Sequence, residues 1–315
     1  MKSMAFVFLL LAVGVAMRWL SEFRRRDPER RSWLFEIPES LADSLTTVVI
    51  YVSLPALILH RIPGLTMTTD LFAPIVIPWI MLAFSAVAVY LLSRYRGWGR
   101  GTTALLLLLV PLGNTSFLGI PMVEAFFGQE GVQFALLYDQ FGSFLALATY
   151  GTIVVSTFSA RKDVGAPGIG RILRGIIAFP PFVALLLALA LRGVSLPEGV
   201  VSALSVLSAT LVPLVMMAVG FKIRFRLPGD HIGPFTSGLA IKMGAAPLIA
   251  LGVCRLWGLH GLSVDVAVFE AGMPPMIAAW ALAMKAGFEP ELGAAMVGYG
   301  ILLSFITLSG LFTIL

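Results

Sequence analysis

Three small polar residues stand together in an otherwise apolar stretch of the chain, in the run Pro111-Leu112-Gly113-Asn114-Thr115-Ser116-Phe117-Leu118-Gly119-Ile120-Pro121. A proline inside a helix removes a backbone donor and collides with the preceding turn, so two of them ten residues apart predict an interrupted helix with unpaired backbone groups. Asn114, Thr115 and Ser116 are suited to cap a second half-helix from that break. A second interruption is expected at Gly272-Met273-Pro274-Pro275, with a proline at the start of the new half-helix. Half-helix N-termini carry partial positive charge and free N–H groups, a chemistry that suits an anion such as a carboxylate. The candidate substrate-binding residues are Asn114, Thr115, Ser116, Gly119, Pro121, Met273, Pro274 and Pro275, with Pro55 as a related proline earlier in the chain. The plain alternative is a pair of proline kinks that hold no ligand.

Ionisable residues deep in the apolar segments are few: Asp139, Lys242, Glu270 and, toward one end of its segment, Glu124. Such groups are costly in a bilayer and mark candidate ion or substrate sites. Glu270 falls just before the second break, beside carbonyls that the break frees. A carboxylate with carbonyls offers hard oxygens to Na⁺, or a proton carrier. Asp139 has Gln140 beside it and Ser143 one turn on, so Glu270, Asp139 and Ser143 form the candidate coupling set. A structural hydrogen-bond role is the alternative for each. Lys242 lies about two turns into its segment and is expected to snorkel to the surface. His60 reads as interfacial.

Those residues need a membrane-spanning frame. Of 315 residues, 58% are hydrophobic and 12% charged, with a mean hydropathy of +0.95. Soluble domains carry about 25% charged residues. The apolar runs, near 3–20, 41–60, 70–92, 101–127, 130–156, 171–192, 198–219, 235–257, 262–285 and 291–315, predict an all-α membrane protein of ten spans. The gaps hold charge and turn residues and no room for a soluble domain. Seventeen of the 22 Lys and Arg fall in the gaps after odd-numbered spans, which predicts a cell inner-membrane protein with both termini outside. The first run is followed by Arg18 and an Arg-rich gap and is read as a span, not a cleaved leader. The net charge of +5 is then an orientation signal, and no nucleic-acid partner is expected. The single cysteine, Cys254, has no disulfide partner and no metal-ligand spacing.

The second half echoes the first. Pro55 in Leu54-Pro55-Ala56-Leu57 is matched by Pro213 in Val212-Pro213-Leu214-Val215, 158 residues on, and Pro121 by Pro275, 154 residues on. Residues 1–157 and 171–315 therefore read as two repeats of five spans, with 158–170 a cytoplasmic linker. An odd number of spans per repeat makes the repeats inverted, with the interrupted helices 4 and 9 crossing near the midplane, the sequence pointer to a carrier site.

The stretch Gly113-Asn114-Thr115-Ser116-Phe117-Leu118-Gly119-Ile120-Pro121 resembles the fourth-helix motif Asn-Thr-x-x-x-Gly-Ile-Pro of the auxin efflux carrier family, which includes plant PIN-type and bacterial organic-acid carriers. The resemblance covers the whole chain. It implies the ten-helix crossover fold shared with bile acid–sodium symporters, a panel of spans 1, 2, 6 and 7 beside a core of the other six, Asn114 on a substrate carboxylate, and crossovers at Pro121 and Pro275. Glu270-Ala271-Gly272-Met273 is similar to the Glu-x-Gly-Met of bile acid–sodium symporters, in which the glutamate binds Na⁺. The polar pair that follows there is Pro274-Pro275 here, a departure at one of that family's two sodium sites. The long cytoplasmic loop of the plant carriers is absent.

The reading is a secondary transporter of a small organic anion, not an enzyme, working by alternating access in the lipid bilayer. It needs no cofactor beyond a Na⁺ or H⁺ at Glu270, and a homodimer is compatible with it. An uncoupled carrier, a channel or sensor, and an intramembrane enzyme are the rival classes. Single cysteines replacing Pro28 and Gly165 should react with a membrane-impermeant thiol reagent only from the cytoplasmic side. Labelling of both in intact cells from outside would reverse the orientation.

Overall fold

The computed structural model describes residues 2–25, 37–38, 40–65, 71–159, 168–223 and 229–315. The two positions of the labelling test, Pro28 and Gly165, lie outside them. The described residues are all helical apart from turns and one isolated bridge. Long runs of Leu, Ala, Val and Phe without a period-2 alternation make this the expected outcome, because a helix satisfies its own backbone where water is absent.

The helices in chain order are α1 (Lys2–Arg25), α2 (Leu41–Val48), α3 (Leu54–Arg61), α4 (Phe72–Arg96), α5 (Arg100–Leu109), α6 (Ile120–Leu137), α7 (Thr152–Phe158), α8 (Ile169–Ile177), α9 (Pro180–Ala190), α10 (Glu198–Ala209), α11 (Leu211–Lys222), α12 (Ile232–Ala240), α13 (Ala246–Leu256), α14 (Leu262–Ala271), α15 (Ile277–Ala286) and α16 (Pro290–Phe312). Several are joined without a break by wide π-turns, at Val49–Ser53, Tyr138–Phe144, Leu147–Gly151 and Ile241–Ala245, and another, Thr115–Gly119, leads into α6. Among the described residues, seven of the resulting helices are long and apolar enough to cross a membrane, or eight if α8 and α9 count together. One of these, Thr115–Phe158, runs for 44 residues, about twice the length a bilayer needs. Its chain turns at Gly128, with φ 73° and ψ −171°, a backbone conformation essentially restricted to glycine.

The chain forms two compact units, each drawing on both halves of the sequence: 1–65, 124–126 and 180–223 in the first, 66–123, 127–179 and 224–315 in the second. The first unit contains apolar runs 1, 2 and 7 and most of run 6, the four that the resemblance groups as a panel.

Within the first unit α1 packs along α11, and α3 against α9 and α10. The α1–α11 approach is close enough that glycine is needed on both sides. A Cβ on Gly14 would collide with the Met217 carbonyl, and one on Gly220 with the Leu11 carbonyl. Ser53, at the end of a π-turn, shares a 2.7 Å hydrogen bond with Thr210, at the junction of α10 and α11. Both bonded residues stand shortly before Pro55 and Pro213, the prolines matched in the sequence.

The second unit is built around Leu105–Leu109 of α5, which are buried among Leu82 and Val89 of α4, Val154 and Val155 of α7, Ala279 and Ala283 of α15, and Leu292 and Met296 of α16. Pro78 lies inside α4, and its ring fills the space that a side chain at Gly142 would take. The Phe141 carbonyl, in the π-turn beside it, accepts the Trp79 indole N–H at 3.0 Å. Proline, glycine and an aromatic donor together let α4 lie against a widened helix.

Gly14→Ala and Gly220→Ala should each destabilise the protein by about 1–3 kcal/mol, since the colliding atoms are backbone and cannot swing aside. Ala at Gly252, which has open space around it, is the control. Equal thermal midpoints for all three in detergent would contradict the α1–α11 packing.

Candidate functional site

Two interruptions in the second unit meet each other. The first separates α5 from the π-turn at Thr115, and the second separates α14 from α15. At each, the proline-rich segment leaves the helix and lies extended, and the two extended pieces pair antiparallel, Gly113 opposite Pro275. The Asn114 N–H donates to the Pro274 carbonyl at 2.8 Å, and the Met276 N–H to the Leu112 carbonyl at 3.0 Å. Each interruption thus satisfies the backbone of the other.

Near-total burial follows. Pro111 to Thr115 and Ala271 to Ile277 are all buried, with Ser116 half-buried. Asn114 occupies the N-cap position of the turn at Thr115, with φ −81° and ψ 62°, but its side chain makes no capping hydrogen bond. Its backbone carbonyl accepts from the Gly119 N–H at 2.9 Å instead. Asn114 is 2% exposed, and its Nδ2 has no hydrogen-bond partner among the described residues. The capping role expected for Asn114 is therefore not the one it plays. The expected restart of the second half-helix at a proline also shifts. Pro274 and Pro275 remain in the extended segment and α15 starts at Ile277, because a residue before proline is pushed toward extended backbone.

The buried polar residues sit where helices widen or end. Thr115 starts one π-turn, Asp139, Gln140 and Ser143 occupy another, and Lys242 a third. Such turns expose backbone and re-aim side chains, and they recur at functional sites. Asp139 is 1% exposed. Its Oδ1 accepts from the Thr115 hydroxyl at 2.6 Å and its Oδ2 from Gln140 Nε2 at 2.8 Å, with Ser116 as a further donor. Gln140 Oε1 has no partner among the described residues. Ser143 is buried one turn away.

Glu270 lies in the last turn of α14, fully buried, and neither carboxylate oxygen has a hydrogen-bond partner among the described residues. The carboxylate rests against the backbone of Gly119: a Cβ there would stand 2.6 Å from Oε1 and 2.8 Å from Cδ. Gly119 was singled out in the sequence as a substrate contact, and its geometry supplies another reason for glycine, room for an acid. Lys242 departs furthest from the sequence reading. It does not snorkel. It is 2% exposed, and its Nζ donates to the Ala271 carbonyl at 3.1 Å. The ammonium therefore lies at the C-terminal end of α14, where the helix dipole favours a cation. On its other side is Gly113, whose Cβ, if present, would be 3.0 Å from Nζ.

The second unit therefore brings together Asn114, Thr115, Ser116, Gly119, Met273, Pro274 and Pro275 with Asp139 and Glu270. Pro121 follows in the first turn of α6. Pro55 stands in the first unit, in the first turn of α3. Arranged this way, the crossing offers an amide donor and helix N-terminal N–H groups to an anion, and acid and amide oxygens to a cation.

Gly119→Ala should destabilise the protein as overpacking a core does, by about 1–3 kcal/mol, read as a lower thermal midpoint. In a Glu270→Ala background the same change should cost much less, because the colliding carboxylate is gone. Additive effects of the two substitutions would separate Gly119 from Glu270.

The membrane transport protein family model matches this chain over residues 33–168 and 169–312. An uncharacterised transporter from Methanothermobacter thermautotrophicus is 31% identical over 274 residues, covering 86% of this chain and 88% of the relative. Another, from Methanocaldococcus jannaschii, is 28% identical over 249 residues, covering 76% and 78%. With the apolar helices and the crossing of two interrupted segments, these matches identify the chain as a multi-pass membrane transporter that belongs to the membrane transport protein family, the auxin efflux carrier-like family its Asn114 to Pro121 motif resembles.

Proposed function

We propose that this transporter carries a small organic anion, with its carboxylate bound at the crossing of the two interrupted segments. The observation that carries the reading is Asn114: a buried amide donor with no partner among the described residues, at the N-terminus of a turn whose first N–H groups have no intrahelical acceptor. A buried donor left unpaired costs about 1–3 kcal/mol. A carboxylate at that place would use both the amide and the backbone donors. Thr115, Ser116, Pro121, Met273, Pro274 and Pro275 would shape the pocket around it.

Ten spans in two inverted repeats, 1–157 and 171–315, are part of the proposal. The 44-residue run that turns at Gly128 reads as the end of span 4 and all of span 5. α5 supplies the first half of span 4, and α14 and α15 the two halves of span 9. The family's two matched stretches, which meet at residues 168 and 169, support the division. Alternating access would be of the elevator or rocking type, in the cell inner membrane with both termini outside. Glu270, with Asp139 and Ser143, is the proposed coupling site. Its unpartnered oxygens would take Na⁺ or a proton as the substrate moves. Glu270→Gln, which keeps the shape and loses the charge, separates the two: it abolishes Na⁺-driven uptake if Na⁺ is the coupling ion, and preserves exchange but not pH-driven accumulation if H⁺ is.

Counterflow of small radiolabelled mono- and dicarboxylates in proteoliposomes tests the substrate class. Asn114→Ala should fold and reach the membrane like the parent while losing at least tenfold in apparent affinity for the transported carboxylate. A folded variant with parental counterflow would remove Asn114 from the site, and absence of counterflow for every carboxylate would overturn the substrate class.

A further inference from the structure

The crossing encloses three side chains of charged type: Asp139 at 1% exposure, Lys242 at 2% and Glu270 at 0%. That is two carboxylates against one ammonium. Asp139 is held by Thr115, Gln140 and Ser116. Among the described residues no donor reaches Glu270, and the charges that act on it are those of Asp139 and Lys242. Lys242 is tied down at its tip by its hydrogen bond to the carbonyl of Ala271, the residue next to Glu270, and Gly113 leaves room for it on the other side. It reaches this place from a π-turn in the middle of the α12–α13 helix.

A long, flexible lysine anchored at its tip, with glycine opposite to make room, is a positioned charge. Its carbonyl acceptor is one that the break after α14 exposes, the kind of oxygen that would otherwise face a small cation. We propose that Lys242 is a built-in cation of the crossing. It supplies one of the two positive charges that the Asp139–Glu270 pair requires, so that the site takes at most one mobile cation per cycle. The inference rests on the reading of Glu270 as the coupling carboxylate. It adds what that reading left open, the number of mobile charges.

Three consequences follow from geometry. Removing the ammonium leaves a second buried carboxylate charge without compensation, so Lys242→Ala should be destabilised. The space it leaves, bordered by the Ala271 carbonyl and near Glu270, should then accept a small cation. Removing one negative charge together with the positive one should restore the balance, so Lys242→Ala combined with Glu270→Gln should be more stable than Lys242→Ala alone and should lose the acquired cation site.

The test is thermal unfolding of the purified full-length protein in detergent, titrating NaCl against choline chloride at constant ionic strength. Lys242→Ala should show a saturable stabilisation by Na⁺ at least several degrees larger than that of the parent, and the double variant should not. Identical Na⁺ dependence in parent and Lys242→Ala would overturn the proposal, as would a gain that persists with Gln at position 270. If Lys242→Ala alone does not fold, the double variant decides: recovery of folded protein supports the charge balance, and equal failure of both overturns it. The readout needs no transport. Loss of the Na⁺ effect therefore points to Lys242, whereas absent counterflow with the Na⁺ effect intact points to the transport reading.

Discussion

The backbone groups that proline frees must find partners where no water can reach them. A helix crosses a bilayer at low cost only because each N–H and C=O is paired within it. Pro111, Pro274 and Pro275 give that up at two places, and the exposed groups settle the debt by pairing with one another, Asn114 N–H to Pro274 and Met276 N–H to Leu112. Everything else around the crossing follows from this exchange. Neither interruption is tolerable alone, so α5, the turn at Thr115, α14 and α15 have to be held at one depth and in one register.

Holding two extended segments side by side places four half-helix ends in a small volume. The ends that expose N–H groups favour negative charge and those that expose carbonyls favour positive charge. The side chains respect that division. Lys242 goes to the carbonyl end of α14, and the amide of Asn114 stays at the N-terminal end of the next turn. Small residues make the approach feasible. Gly113 faces the ammonium and Gly119 the Glu270 carboxylate, and a methyl group at either would compete with the charged group for the same space.

Polar residues with unmet hydrogen-bonding capacity concentrate in the same place. Asn114 Nδ2, Gln140 Oε1 and both Glu270 oxygens lack partners among the described residues, whereas the Asp139 carboxylate is fully engaged. A protein that only needed rigidity would have closed these bonds, since unpaired buried groups cost stability. Donor and acceptor capacity held in reserve is what a carrier requires, because its ligands must bind and then leave.

Much of this was written in residue order. Apolar runs separated by arginine-rich gaps specify membrane helices, since burial in lipid selects composition before any contact is made. The prolines specify where helices stop, because ring geometry acts locally. Glu270 stood out as an acid beside a break. Three things needed the folded chain. The partner of each interruption is some 160 residues away, a contact no local pattern encodes. The destination of Lys242 was misread because a lysine's reach from its own helix says nothing of which carbonyl another helix leaves open. The reason for Gly119 lies in the carboxylate it admits, again from a distant helix. Local sterics and hydrophobicity are properties of the sequence itself, so segments and breaks were legible there. Hydrogen bonds and charge pairs between segments depend on depth and register, which only tertiary packing sets.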